Sequence, residues 1–360
     1  MKKDFSKFIV ISFLTISIFF SYILKCKTIA ASKSEEKVEK IIEKIESVKK
    51  NSPESSEISV KLPSHLSYLQ TIAQIKKWKE EAPDLTEVGT YGQTKKTVDL
   101  YYIRVNNNLD KSPKPVVLIT ACIHGNEPLA SGVTMAYIGN LIDQYGKDKK
   151  ITDMINTRDL YFIPVVSPDS YPNNRHVDGV DPNRDFPSPK TPEHQSTPTV
   201  NALRDFYWKI KPSAVVSGHT YGRLFMTPYG DNYKKTPHEA DFSRIVGKMA
   251  SLADYKKIHC AELYNKPIDG SEVDWFYRNG SIAICAEYGT HQHKPTLEEI
   301  KKEFNRVKDA LDLFVVEAPI VKVTVVDEGI DFSKNTGIAR NYLRLPNGDL
   351  SPAGPYQNYD

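Results

Sequence analysis

The chain has 360 residues, 40% of them hydrophobic, which is enough for one sizeable α/β domain with additional segments. Its 48 basic and 45 acidic residues give a formal net charge of +3, and the lysines are dispersed along the chain rather than clustered. This balance excludes the strongly basic character that is typical of nucleic-acid-binding proteins, so no nucleic-acid partner is expected.

The N-terminal segment has the pattern of an export signal. A short basic stretch at residues 1–7 precedes a 17-residue run without charge at Phe8–Leu24, and small residues at Ala30 and Ala31 suit cleavage. We therefore expect a signal peptide over residues 1–31 and a secreted, periplasmic or cell-envelope location. The alternative is an uncleaved membrane anchor, since 17 apolar residues are just long enough to cross a bilayer. No other part of the chain is expected to meet a membrane.

The next segment, residues 32–62, predicts a charged helical spacer and a linker. Hydrophobic residues recur at helical spacing between positions 38 and 48, and Asn51–Glu57 is polar and contains a proline. The main domain is expected over residues 63–320. Residues 321–360 become strand-like and then rich in Gly, Pro and Asn, and their role is unassigned.

Within the main domain, apolar strands alternate with helices. A helical face through position 81 carries Leu66, Leu69, Ile72, Ile75 and Trp78. Strands are predicted at 97–105, 116–122, 160–166, 214–217 and 281–286, and helices at 129–145 and 199–210. Two further helices are predicted from their caps, one at Thr236-Pro237-His238-Glu239 and one at Thr296-Leu297-Glu298-Glu299. This alternation predicts an α/β sandwich with a largely parallel sheet.

Charged and polar residues follow four of the predicted strands. His124 and Glu127 come after the strand at 116–122, Arg175 after the strand at 160–166, His219 after 214–217 and Glu287 after 281–286. The carboxyl ends of parallel strands meet at one edge of a sheet, which is where open α/β sheets place their binding sites. An imidazole and a carboxylate three residues apart bind Zn²⁺ when a third ligand joins them.

Four ordered segments between Pro63 and Pro319 resemble the zinc carboxypeptidase family, typified by pancreatic carboxypeptidase A. They are His124–Glu127, Arg175–Pro187, Ser217–Gly230, and Glu262–Trp275 leading to Ala286–Thr290. The resemblance implies a three-layer α/β sandwich with a mixed, largely parallel central sheet flanked by helices. It also implies one zinc ion, a peptide or peptidoglycan-peptide substrate with a free C-terminal carboxylate, and a role for Tyr264 in closing over the terminal residue.

The chemistry gives the first group of residues definite roles. His124, Glu127 and His219 can hold Zn²⁺ and leave a position for water. Glu287, at a strand end among apolar neighbours, suits a general base that later acts as an acid. Arg175 suits a donor to the oxyanion of the tetrahedral intermediate.

A second group suits substrate binding. Arg184 offers a two-pronged donor and Asn183 a neutral amide for the substrate carboxylate. Val273 in the specificity pocket would favour apolar or aromatic C-terminal residues, whereas Glu272 there would favour Lys or Arg. Asp185 adds negative charge next to the proposed carboxylate anchor and is expected to weaken or redirect substrate binding.

Other functions remain open from the sequence. An exported enzyme of this type could trim the stem peptides of peptidoglycan. The His124–Glu127 segment also resembles the aspartoacylase and succinylglutamate desuccinylase branch, which removes acyl groups from amino acids. A catalytically silent binding module would require a missing metal ligand or base, and none is missing.

Overall fold

The structure of the protein is a computed structural model that describes residues 65–107, 114–263, 266–292 and 294–319, together with the backbone of 342–344 and 350–352. The predicted signal peptide (1–31), the spacer (32–62) and most of the C-terminal segment (321–360) lie outside these residues. None of the helices in the described part of the chain is both long and apolar enough to cross a membrane.

The central element is an eight-stranded sheet. Its strands are β1 (Thr86–Gln93), β2 (Asp99–Val105), β3 (Val116–Ala121), β4 (Asp159–Ile163), β5 (Ala214–Thr220), β6 (Leu224–Thr227), β7 (Lys256–His259) and β8 (Ile282–Tyr288). Their order across the sheet is β1-β2-β4-β3-β5-β8-β6-β7. A separate antiparallel pair, β9 (Tyr342–Arg344) and β10 (Leu350–Pro352), lies in the C-terminal segment.

The first helix precedes β1, and the others fall between strands along the chain. The helices are α1 (Tyr68–Glu81), α2 (Pro128–Gln144), α3 (Lys149–Thr157), α4 (Pro198–Ile210), α5 (Glu239–Ala253), α6 (Cys260–Leu263), α7 (Glu272–Arg278) and α8 (Leu297–Glu317). A short 3₁₀ turn at Pro182–Arg184 lies in the long connection between β4 and α4.

The four strands in the middle of the sheet, β4, β3, β5 and β8, run parallel to one another. Every residue of β5 and β8 is buried, as expected for strands covered on both faces. The outer pairings β1–β2, β2–β4 and β6–β8 are antiparallel, so the sheet is mixed. The predicted fold class is therefore confirmed.

Adjacent aromatic residues of β4 show that helices cover both faces of the sheet. Tyr161 and Phe162 are consecutive, so their side chains leave opposite faces of the strand. Tyr161 contacts Phe206 of α4, while Phe162 contacts Tyr137 of α2. Helices α2 and α4 therefore lie in different layers, and the sheet separates them.

The structure corrects two local predictions. Helical periodicity groups Leu69 with Ile75 on one apolar face, but Leu69 is 79% exposed, whereas Ile75 is fully buried. The second correction concerns α5, which begins at Glu239 rather than at Pro237. The Glu239 carboxylate accepts hydrogen bonds from Lys257 and Ser243 and does not form the predicted cap. The predicted capping box at Thr296 and Glu299 is confirmed.

Candidate active site

Three parallel strands bring the predicted metal ligands and base to one edge of the sheet. His124 follows the end of β3, and Glu127 is the residue directly before α2. His219 lies near the end of β5, where it pairs in register with Glu287 of β8. The three strands lie side by side in the order β3-β5-β8, so residues up to 163 positions apart in the sequence reach the same edge of the sheet.

The turn between His124 and Glu127 is tightly packed. A side chain at Gly125 would place its Cβ 2.3 Å from the hydroxyl of Ser170 and 2.5 Å from the backbone nitrogen of Tyr171. No residue larger than glycine fits there without displacing the neighbouring backbone. Gly125 therefore allows the turn that places His124 and Glu127 side by side.

The three predicted ligands converge on one point. The Nδ1 atom of His124 lies 2.9 Å from one carboxylate oxygen of Glu127, and Nδ1 of His219 lies 2.9 Å from the other. All three side chains are buried, and one ligand atom from each lies within 4.8 Å of the others. Ligand atoms of a tetrahedral zinc site are about 3.4 Å apart, given bonds of about 2.1 Å. The donor set and its spacing therefore fit one zinc ion.

The outer nitrogen of each imidazole contacts a second carboxylate. Nε2 of His124 lies 2.9 Å from Asp181, and Nε2 of His219 lies 2.9 Å from Glu272. A hydrogen bond from Nε2–H to a carboxylate fixes the imidazole tautomer and its orientation, and leaves the lone pair of Nδ1 for a metal.

These contacts shift the protonation equilibria of the site. Burial disfavours the ionised form of Glu127, but the adjacent imidazoles of His219 and His124 outweigh it and lower the pKa of Glu127 to about 2. Burial also disfavours the charged form of His219, yet the carboxylates of Glu127 and Glu272 raise its pKa well above the usual value.

Glu287 differs from Glu127 in its surroundings. It is buried on β8, and the sulfur of Cys285 lies 4.0 Å from one of its oxygens. Burial raises the pKa of Glu287 to about 7, even though the positive charge of His219 opposes the shift. A carboxylate with a pKa near neutrality can both accept and return a proton at neutral pH.

Arg175 lies at the edge of the metal group. Its guanidinium bonds to Asp181 at 2.9 and 3.0 Å and lies 4.0 Å from the Glu127 carboxylate. Asp181 therefore holds both Arg175 and His124. Burial favours the neutral acid, but His124 and Arg175 outweigh it and lower the pKa of Asp181.

Asn183 and Arg184 are held by the loop that precedes α7. The side-chain oxygen of Asn183 accepts the backbone N–H of Glu272 at 2.9 Å, so the NH₂ group of Asn183 remains as a donor. Gly270 has a φ of +71°, and a Cβ there would lie 2.6 Å from the carbonyl oxygen of Arg184. The close approach of the two loops therefore requires glycine.

The predicted site residues that the structure describes line a single cavity of about 390 Å³. They are His124, Glu127, Arg175, Asn183, Arg184, His219 and Glu287. Five further residues give its wall apolar or weakly polar character: Met226, Cys260, Leu263, Ile268 and Cys285. Val273 also lines the cavity, whereas Glu272 is buried under His219. The pocket position discussed from the sequence is therefore occupied by valine.

Asp185 lies outside the cavity and has other partners. Its carboxylate is buried, 2.7 Å from Nε2 of His194, and accepts the backbone N–H of Thr197 at 2.7 Å. Asp185 is thus engaged at the start of α4 and does not line the cavity, and its effect on substrate binding stays a prediction.

Tyr264, predicted to close over the substrate, lies outside the described residues. The sequence reasoning missed the roles of Asp181 and Glu272 beside the imidazoles. Asp181 stands two positions before Asn183, so its place in the motif was a usable signal. Tyr221 and Gln292 also line the cavity but were not predicted, because they belong to no motif that would have identified them.

The fold and the site together define an α/β protein with a buried His₂Glu metal centre beside a cleft that contains two arginines. The sequence profile of the family described as zinc carboxypeptidase matches residues 71–310. The chain belongs to this family, whose members hydrolyse peptides and use one zinc ion.

Individual relatives share about a quarter of their aligned residues with this chain. Carboxypeptidase A4 of Mus musculus is 26% identical over 238 residues, covering 55% of this chain and 56% of the relative. The chain thus spans about half the length of the curated relatives it matches. Crystal structures of thrombin activatable fibrinolysis inhibitor and of a carboxypeptidase A from Helicoverpa armigera align with TM-scores of 0.65 and 0.63, at 20% and 18% identity. The two alignments cover 74% and 71% of this chain, and 77% and 74% of the aligned structures. They support the fold.

Proposed function

We propose that the protein is a zinc-dependent metallocarboxypeptidase that hydrolyses the C-terminal peptide bond of peptides. The observation that supports this most strongly is the convergence of His124, Glu127 and His219 next to Glu287 and Arg184 in one cavity. A metal centre alone would serve many hydrolases. A guanidinium and an amide in the same cleft add the means to select a chain end.

The reaction follows from the positions of these groups. His124, Glu127 and His219 would hold the zinc, which when bound supplies Lewis-acid polarisation of a carbonyl and lowers the pKa of water. Glu287, a buried carboxylate that lines the same cavity, accepts the proton of the attacking water and then gives it to the leaving amine. Arg175 donates to the developing oxyanion while Asp181 holds its guanidinium in place.

Recognition of the chain end is assigned to Arg184 and Asn183. A guanidinium binds a carboxylate through two parallel hydrogen bonds, and the NH₂ group of Asn183 supplies another donor. Tyr264 is proposed to cover the terminal residue once it is bound.

The cavity wall favours an apolar or aromatic C-terminal side chain. Val273, Met226 and Ile268 line it, and the carboxylates that line it are those of Glu127 and Glu287. Both belong to the catalytic group, so neither is available to pair with a lysine or arginine side chain of the substrate.

The decisive experiment is hydrolysis of matched peptides that end in Phe, Leu, Lys or Glu, each with a free and an amidated C-terminus. We expect zinc-dependent release of Phe and Leu from the free peptides and none from the amides. Arg184→Met should raise KM for the free peptides far more than it lowers kcat. Equal cleavage of free and amidated peptides would exclude a carboxypeptidase.

The same assay separates the alternatives. Muropeptides test a peptidoglycan stem-peptide substrate, and N-acetylaspartate tests the aspartoacylase-type reaction. Membership of the zinc carboxypeptidase family favours the peptidase over the deacylase. Export through residues 1–31 remains part of the proposal, and N-terminal sequencing of the protein recovered from the cell envelope or medium would test it.

A further inference from the structure

The inference concerns Glu272, the first residue of α7. Its side chain is fully buried, and one carboxylate oxygen lies 2.9 Å from Nε2 of His219. The hydroxyl of Ser217 donates to the same oxygen. Both partners belong to β5, so Glu272 links α7 to the strand that carries the second imidazole.

The backbone around Glu272 is fixed from two sides. Its N–H donates to the side chain of Asn183 at 2.9 Å. Ser271 before it caps α7 by accepting the N–H of Asp274 at 3.3 Å. The carboxylate is therefore held against His219 by contacts that do not depend on a bound metal or substrate.

The second oxygen of this carboxylate is costly to bury. Within the described residues, Oε2 of Glu272 is buried and has no hydrogen-bond partner. A buried acceptor without a partner destabilises a protein by about 1–3 kcal/mol. An apolar residue at this position would avoid that cost. The hydrogen bond with His219 explains why a carboxylate is present instead.

We infer that Glu272 is a positioning residue for His219: it accepts the Nε2–H hydrogen bond and so holds Nδ1 toward the shared metal site. This rests on the proposed function only in that the ion is zinc. Asp181 contacts His124 in the same way but is shared with Arg175, whereas the hydrogen bonds described for the Glu272 side chain come from His219 and Ser217. The two imidazoles therefore have separate carboxylate supports.

The test is the zinc dissociation constant of the full-length protein, measured by competition with a chromophoric chelator. Glu272→Ala should weaken zinc binding by about 10–100-fold. Glu272→Gln keeps an acceptor oxygen at the same distance and should recover most of this loss. Asp312→Asn is the control, because Asp312 is another buried carboxylate, which contacts Tyr137 and Lys150 instead.

A second readout includes a test on the wild type alone, which does not require that any variant folds. In the zinc-loaded wild type, the Nε2–H proton of His219 should give a downfield, slowly exchanging NMR signal, which Glu272→Ala should lose and Glu272→Gln retain. Unchanged zinc affinity in Glu272→Ala, a Glu272→Gln variant as weak as Ala, or the absence of this proton signal in the wild type would each overturn the inference. Zinc affinity and this signal are measured without substrate. A wild type that hydrolyses no peptide would therefore refute the proposed function and leave the inference standing.

Discussion

Replacing Glu287 by glutamine should make the protein inactive and, at alkaline pH, more stable. The amide has almost the same volume but cannot accept the proton of water. General acid–base catalysis contributes about 10²–10⁴-fold to a rate, so kcat should fall by at least about 10²-fold. KM should change little, because Arg184 and Asn183 rather than Glu287 are assigned to the substrate carboxylate.

The gain in stability follows from the pKa of Glu287, which burial raises from 4.5 to about 7. At about 1.4 kcal/mol per pKa unit, this corresponds to ~3 kcal/mol. Because the acid ionises earlier in the unfolded chain, the contribution of Glu287 to wild-type stability falls as pH rises from about 4.5 to about 7 and then stays constant. The glutamine variant lacks this loss. Its advantage should therefore be near zero at pH 4 and approach ~3 kcal/mol at pH 8.

Two assays check this prediction. Turnover is measured on a peptide with a C-terminal Phe, with the zinc content of both proteins as the control for an intact metal site. Denaturant unfolding is measured in the presence of a chelator at pH 4, 5, 6, 7 and 8. Turnover within tenfold of the wild type would show that Glu287 is not the base. A stability difference that stays constant across this pH range would show that its carboxyl group is not perturbed by burial.

Three further predictions concern the pocket, the first helix and a buried ion pair. Val273→Asp places a carboxylate in the cavity and should shift the kcat/KM ratio for C-terminal Lys over Phe by about tenfold or more; an unchanged ratio would remove Val273 from the specificity pocket. Ile75→Ala should lower the unfolding free energy by about 2–5 kcal/mol, whereas Leu69→Ala on the same helix should change it by less than about 0.5 kcal/mol. Similar losses for both in denaturant unfolding would contradict the observed helix orientation. In the wild type, Arg104 pairs with the buried carboxylate of Asp159 at 2.7 Å. Arg104→Met leaves this carboxylate buried without its cation and should lower the unfolding free energy by about 3–5 kcal/mol. A loss below 1 kcal/mol in the same assay would refute this.

The strands and the edge they share could be predicted because each depends on local pattern. The uncharged runs that became β3, β5 and β8 are buried on both faces, and parallel strands end on the same side. The polar residue that follows each run was therefore assigned to one place. The register that places His219 opposite Glu287 was not predicted, because it depends on the pairing of β5 with β8 that the structure shows.

Contacts between distant side chains could not be predicted in the same way. Helical periodicity placed Leu69 and Ile75 on one face, but it does not state where the covering layer ends, and Leu69 lies beyond it. From the sequence, both Val273 and Glu272 were candidates for the specificity pocket. Which of two consecutive residues meets the cavity depends on where α7 begins, and Ser271 and Asn183 decide that through contacts the sequence does not reveal.

The central claim is that His124, Glu127 and His219 hold one zinc ion. The most direct test is anomalous diffraction recorded on both sides of the zinc absorption edge from crystals of the full-length protein. The account predicts one strong peak between the Nδ1 atoms of the two histidines and the Glu127 carboxylate, and its loss in His219→Ala. A peak at any other position, or a zinc-saturated crystal without a peak at this site, would contradict it.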